Sequence, residues 1–92
     1  MDVKIVVSEA LAISKNRLSV NPSAPIYISC VSQLEYLLSV LTSASPIDRP
    51  KLRTIMIGYY GLREFEETDP ELAFALKEAQ LVATKMADGL KV

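Results

Sequence analysis

Ninety-two residues, half of them apolar and 23% charged, suffice for one domain with a modest core and exclude general disorder. A formal net charge of −1 gives no electrostatic case for nucleic acid or an anionic membrane as the main target. There is no histidine, the commonest general base and metal ligand, and the single cysteine, Cys30, excludes an internal disulfide and a thiolate zinc site. The start lacks a basic n-region, and Ser8 and Glu9 break the short apolar run before them, so no signal peptide is read. No apolar run approaches the roughly 20 residues that cross a bilayer. The expectation is a soluble cytoplasmic protein in which residues 1–92 form a single domain.

Over residues 3–18 the apolar positions Val3, Val6, Val7, Ala10, Leu11 and Leu18 recur at helical spacing, with Asp2 placed to cap the start. The β-branched run Ile5, Val6 and Val7 would also suit a strand, which makes this beginning the weakest part of the helix. Residues 21–25 hold two prolines and several turn formers and read as a break. A second helix is predicted over residues 25–41, where Tyr27, Cys30, Val31, Leu34, Leu37, Leu38 and Leu41 mark a buried face. Cys30 is read as a small core residue there.

Residues 43–46 end that helix, and Asp48 is placed to cap the next, with Pro50 in its first turn. Leu52, Ile55, Met56, Tyr59, Leu62 and Phe65 predict a third helix over residues 49–66. Gly58 and Gly61 fall inside it, at about 1 kcal/mol each relative to alanine. A turn at residues 58–61 is the alternative; the continuous helix is preferred because the apolar period keeps its phase across both glycines. A fourth helix is predicted over residues 70–88, with Leu72, Ala75, Leu76, Ala79, Val82, Ala83 and Met86 inward and Gly89 just past its end. The fold class expected is all-α, a small antiparallel bundle of about four helices.

The join between the last two helices is signalled twice over. Thr68 and Asp69 are good N-cap residues, Pro70 suits the first turn, and Glu71 stands three residues after Thr68, as a capping box requires. The same turn carries five acids between Glu64 and Glu71 and no base. Along the third helix Arg49, Lys51 and Arg53 come first and Glu64, Glu66 and Glu67 last. Both sets oppose the macrodipole, at about 0.3–1 kcal/mol for each well-placed exposed charge. Neighbouring helices, or an Arg63–Glu67 pair one turn apart, would compensate. A docking face for a basic cleft on a partner is the sharper explanation. Only one of the adjacent tyrosines can point fully inward; Tyr59 follows the core phase better, leaving Tyr60 to be exposed.

A catalytic reading finds little to build on. Glu64, Glu67 and Glu71 could do acid–base work only in a cleft that a small bundle rarely provides, and their spacing does not match a calcium loop. Ser8, Ser14, Ser29 and Ser32 have no histidine partner, Gly58 and Gly61 make no phosphate loop, and the bases are scattered. No catalytic residue, cofactor site or metal site is assigned, and the chain is not read as an enzyme.

Three strings carry a resemblance: residues 64–72, Glu-Phe-Glu-Glu-Thr-Asp-Pro-Glu-Leu; residues 75–79, Ala-Leu-Lys-Glu-Ala; and residues 89–92, Gly-Leu-Lys-Val. Weaker echoes lie in residues 33–36, 39–41 and 48–49. Together these strings resemble the immunity proteins that protect bacteria from type VI secretion effectors, in particular the small helical kind paired with an NAD(P)-hydrolysing toxin of pseudomonads. The resemblance implies an all-helical antitoxin that binds a cognate toxin domain in the cytoplasm and occludes its active site, without cofactor or chemistry of its own. On that reading Tyr59, Tyr60, Arg63, Glu64, Glu66, Glu67 and Asp69 form the partner-binding set, with Tyr60 as aromatic anchor and Asp69 the member most suited to be a cap instead. A homodimer of the free protein would use the same apolar patterns. The competing class is a non-enzymatic helical adaptor or self-associating structural bundle.

Overall fold

The computed structural model describes residues 2–90, in which helices and turns account for every regular element and no strand occurs. Helix α1 spans Val3–Val20, α2 Pro25–Leu41, α3 Arg49–Leu52 and α4 Ile57–Tyr60; α4 runs directly into a π-helical turn at Gly61–Phe65, and α5 spans Pro70–Ala87. Met1, Lys91 and Val92 lie outside the described residues, and with them the end of the 89–92 string. The architecture is the expected all-α antiparallel bundle. Helices α1 and α2 form one hairpin, α4 with its π turn and α5 form a second, and α1 packs along α5 to join the two.

Local chemistry explains most helix ends. The Asp2 carboxylate accepts from the Lys4 backbone N–H at 2.9 Å, and Asp48 accepts from the Lys51 N–H at 3.1 Å. Helices α2 and α5 end in the same device. The Ala44 N–H reaches back to the Ser39 carbonyl and the Ser43 N–H to that of Val40, while Leu90 and Gly89 do the same to Lys85 and Met86. The pivot residue of this motif is left-handed, so Gly89 has φ 77° and Ser43 φ 63°. Between these ends Leu34, Leu37, Leu52, Ile57, Leu72 and Leu76 are fully buried, and Cys30 lies with them, its thiol pushed up to about 12 by burial.

The third predicted helix is not continuous. Residues 53–56 leave the helical path, and amide side chains from two other helices take up the freed backbone groups. Gln33 of α2 accepts from the Met56 N–H at 2.8 Å. Gln80 of α5 accepts from the Gly58 N–H at 3.1 Å and donates to the Ile55 carbonyl at 2.9 Å. Three groups that a helix would pair internally are thus satisfied from outside. The alternative of a turn at residues 58–61 is not found either, since both glycines are helical. Their job is close approach. A Cβ on Gly61 would stand 2.9 Å from the Ala73 carbonyl oxygen, and one on Gly58 2.7 Å from the Gln80 Cβ.

The break resets the phase of everything after it. Ile57, Gly58 and Gly61 are buried, whereas Met56, Tyr59 and Leu62, expected inward, are exposed. Phe65 returns to the core and stacks on Tyr27, ring centroids 5.6 Å apart. The capping box does not form as expected. The Thr68 hydroxyl donates back to the Glu64 carbonyl, and Asp69 is the residue that caps α5, accepting from the Leu72 N–H at 3.4 Å.

Candidate functional site

The π turn and the residues after it, 61–69, project the acidic string from one end of the bundle. Arg63, Glu64, Glu66, Glu67 and Thr68 are exposed, as is Leu62 beside them. These residues line a shallow, predominantly polar hollow. Glu66 has a loose partner in Lys77 at 3.7 Å, whereas no ion pair within 4 Å involves Glu64 or Glu67 among the described residues. The expected Arg63–Glu67 pair is absent; Arg63 turns the other way, donating to the Tyr59 hydroxyl at 2.6 Å with its guanidinium 5.3 Å from that ring's centroid.

The two tyrosines are reversed relative to expectation. Tyr59 is 52% exposed. Tyr60 is half-buried, with its hydroxyl 3.2 Å from the Ser29 hydroxyl. The cause is the break at residues 53–56, after which Ile57, Gly58 and Gly61 take the buried positions in place of Met56, Tyr59 and Leu62. The exposed aromatic next to the acids is therefore Tyr59. Between it and the start of α2 lies a cleft of ≈ 390 Å³, lined by Pro25, Ile26, Ser29, Tyr59, Tyr60, Arg63 and Glu64. The structure thus groups six of the seven predicted residues around one end of α4.

Asp69, the seventh, faces inward. Its carboxylate takes two hydrogen bonds from Arg17, at 2.8 Å from Nε and 3.1 Å from Nη2, and the same Nη2 reaches Glu71 at 2.9 Å. The guanidinium holds the Asp69 carboxyl below the usual carboxylate range, aided by the Leu72 N–H, and the two carboxylates in turn raise the Arg17 pKa. Two of the five acids are accordingly spent on joining α1 to α5. Arg17 carries little signal in the sequence: it is a base in the last turn of α1, off the apolar stripe.

The basic end of the charge gradient is also structural. Arg53 pairs with Asp88 at 3.1 Å and donates to the Ala87 carbonyl at the C-terminal end of α5. Lys51 sits 4.2 Å over the Tyr36 ring. Neighbouring elements compensate these charges, whereas Glu64 and Glu67 remain facing solvent. Among the described residues no group of three acids or thiols is arranged to hold a metal ion.

Comparison with known proteins gives concordant results. The family model named Tsi6 matches residues 3–85. The chain is 41% identical over 86 residues to the immune protein Tsi6 of Pseudomonas aeruginosa, covering 94% of this chain and 90% of that protein. A chain in the solved structure of Tse6 in complex with Tsi6 superposes with a TM-score of 0.91 at 38% identity, covering 99% of this chain and 96% of that one. The structure of Tsi6 from Pseudomonas aeruginosa superposes with a TM-score of 0.86 at 39% identity, over 100% of this chain and 95% of that one.

Proposed function

Because the chain belongs to the Tsi6 family, we propose that it is an immunity protein, binding and neutralising the toxin domain of a cognate type VI secretion effector. The observation that carries this reading is similarity along nearly the whole chain, in sequence to an immune protein and in fold to a chain of a Tse6–Tsi6 complex. We assign the toxin to the NAD(P)-degrading or otherwise nucleotide-acting class, and the encounter to the cytoplasm. A pocket that holds phosphates presents cationic and polar donors. Glu64 and Glu67, without an ion-pair partner among the described residues, and the exposed Tyr59 ring offer such a pocket carboxylates and a flat aromatic face. Inhibition is by occlusion and needs no chemistry from the immunity protein.

The assigned contact set is Tyr59, Arg63, Glu64, Glu66 and Glu67. Tyr60 supports it from behind through Ser29, and Asp69 through its hold on α5. Co-expression with the toxin domain of its cognate effector should restore growth and yield a stable complex. The double reversal Glu64→Lys with Glu67→Lys should weaken that complex by about 2 kcal/mol or more, roughly thirtyfold in Kd by titration calorimetry. Failure to restore growth would sink the immunity reading. Unchanged affinity would instead remove these two acids from the contact while leaving the function intact.

A further inference from the structure

The opposite flank of α5 carries a second surface that the acidic turn does not explain. Ile5, Val6 and Ile13 of α1 face Phe74 and Ala75 of α5 across an open groove of ≈ 760 Å³. Ile5 is 55% and Phe74 65% exposed. Lone exposed apolar residues are ordinary, but an apolar groove framed by two helices is not.

The spacing shows that this is not spilled core. On α1, residues 5, 9 and 13 follow one another at four-residue intervals, while the core stripe runs through Val7, Ala10, Leu11 and Ser14. On α5, residues 71, 74, 75 and 78 share a flank, while Leu72, Leu76, Ala79 and Ala83 point to the core. Ala73, which backs onto Gly61, belongs to the side of α5 that faces the acidic turn.

We propose that this groove is a docking site for a cationic amphipathic helix of a partner protein. The charge around it selects that occupant. The polar groups at the rim are Asp2, Glu9, Glu71 and Glu78, and among the described residues no base lines the groove. Arg17 pairs with Glu71 at one end, while Glu9 and Glu78 take part in no ion pair within 4 Å among the described residues. Such a rim repels nucleic-acid phosphates and anionic lipid headgroups. It also opposes a second copy, because a two-fold contact through the groove would set the same four acids against themselves. An apolar ridge flanked by lysine or arginine meets both the floor and the rim. The α1 wall from residue 2 to residue 13 is about 16 Å long, three turns, which suits a partner helix of about twelve residues. This proposal stands independently of the toxin reading.

The probe is a synthetic 14-residue peptide with leucine at i, i+3, i+4 and i+7 and lysine elsewhere; its counterpart carries glutamate in place of lysine. Titrated into the isotopically labelled full chain, the lysine peptide should shift the amide resonances of Ile5, Glu9, Ile13, Phe74 and Glu78, and the glutamate peptide should not. Phe74→Ser, and separately the pair Glu9→Lys with Glu78→Lys, should each weaken binding by roughly tenfold or more. All these residues touch solvent, and an unchanged thermal melt would show the variants folded. The proposal is overturned if the principal shifts fall on residues 62–68, or if neither variant changes the affinity. It is equally overturned if the free protein forms a dimer that Phe74→Ser abolishes.

Discussion

Arg17 gathers two carboxylates at the point where α1 finishes and α5 begins. Both it and Asp69 are largely withdrawn from solvent, with side-chain exposures of 26% and 19%, so the contact escapes much of the screening that weakens surface pairs. Replacing Asp69 with asparagine keeps a capping oxygen but loses the charge, and should cost about 1–2 kcal/mol at neutral pH by urea unfolding. The sign of the pH dependence follows from the depressed Asp69 pKa. The stabilisation is full above the unfolded value of about 3.9 and is lost as pH falls through the lower folded value. The gap between the native protein and Asp69→Asn should therefore narrow only below about pH 4. Ser43 offers the reverse case. It holds the left-handed position that α5 gives to Gly89, and Ser43→Gly should raise stability by about 0.5–1 kcal/mol, seen as a higher urea midpoint at unchanged slope.

Among the elements, α2 and α4 show what local sequence can and cannot reveal. Every signal for α2 is carried on α2 or beside it, from Pro25 in the first turn to the Ser43 terminator, and its predicted bounds match the observed ones. The interruption before α4 has no such local mark. Its hydrogen-bond partners, Gln33 and Gln80, lie 22 to 25 residues away on other helices, so periodicity in the 49–66 segment ran smoothly over it. That one break exposes Tyr59 and turns Tyr60 inward, the reverse of what the periodicity implies. The two glycines were legible as costs to a helix but not as the condition for its contact with α5. Gly61→Ala tests this. Helix propensity alone would favour alanine by about 1 kcal/mol, yet the new methyl would meet the Ala73 carbonyl, and a net loss of about 1–3 kcal/mol is expected in thermal or urea unfolding. Gln80→Ala should likewise cost about 1–3 kcal/mol, since it strands the Gly58 donor and the Ile55 acceptor, both on buried residues. On the proposed contact set it should also weaken toxin binding, by letting α4 and Tyr59 turn.

For the molecule as a whole, composition and helical spacing were enough to reach an all-α bundle, because four amphipathic stretches with short links leave few other arrangements. The candidate site was legible as a surplus of acids, but not which of them were surplus. Asp69 and Glu71 are committed to Arg17, a residue 52 positions from the nearer of them, and only the folded chain reveals that commitment. The pairing of helices into two hairpins has a consequence for how the chain can be divided. The link from Ser43 to Asp48 crosses between the hairpins, and its residues are mostly exposed. A chain cut there should yield two fragments, residues 1–44 and 45–92, neither able to bury its own apolar face, that reassemble when produced together. Read out as survival of toxin-bearing cells, protection would then require both halves at once, so that the fold behaves as a logical AND gate for two expression signals.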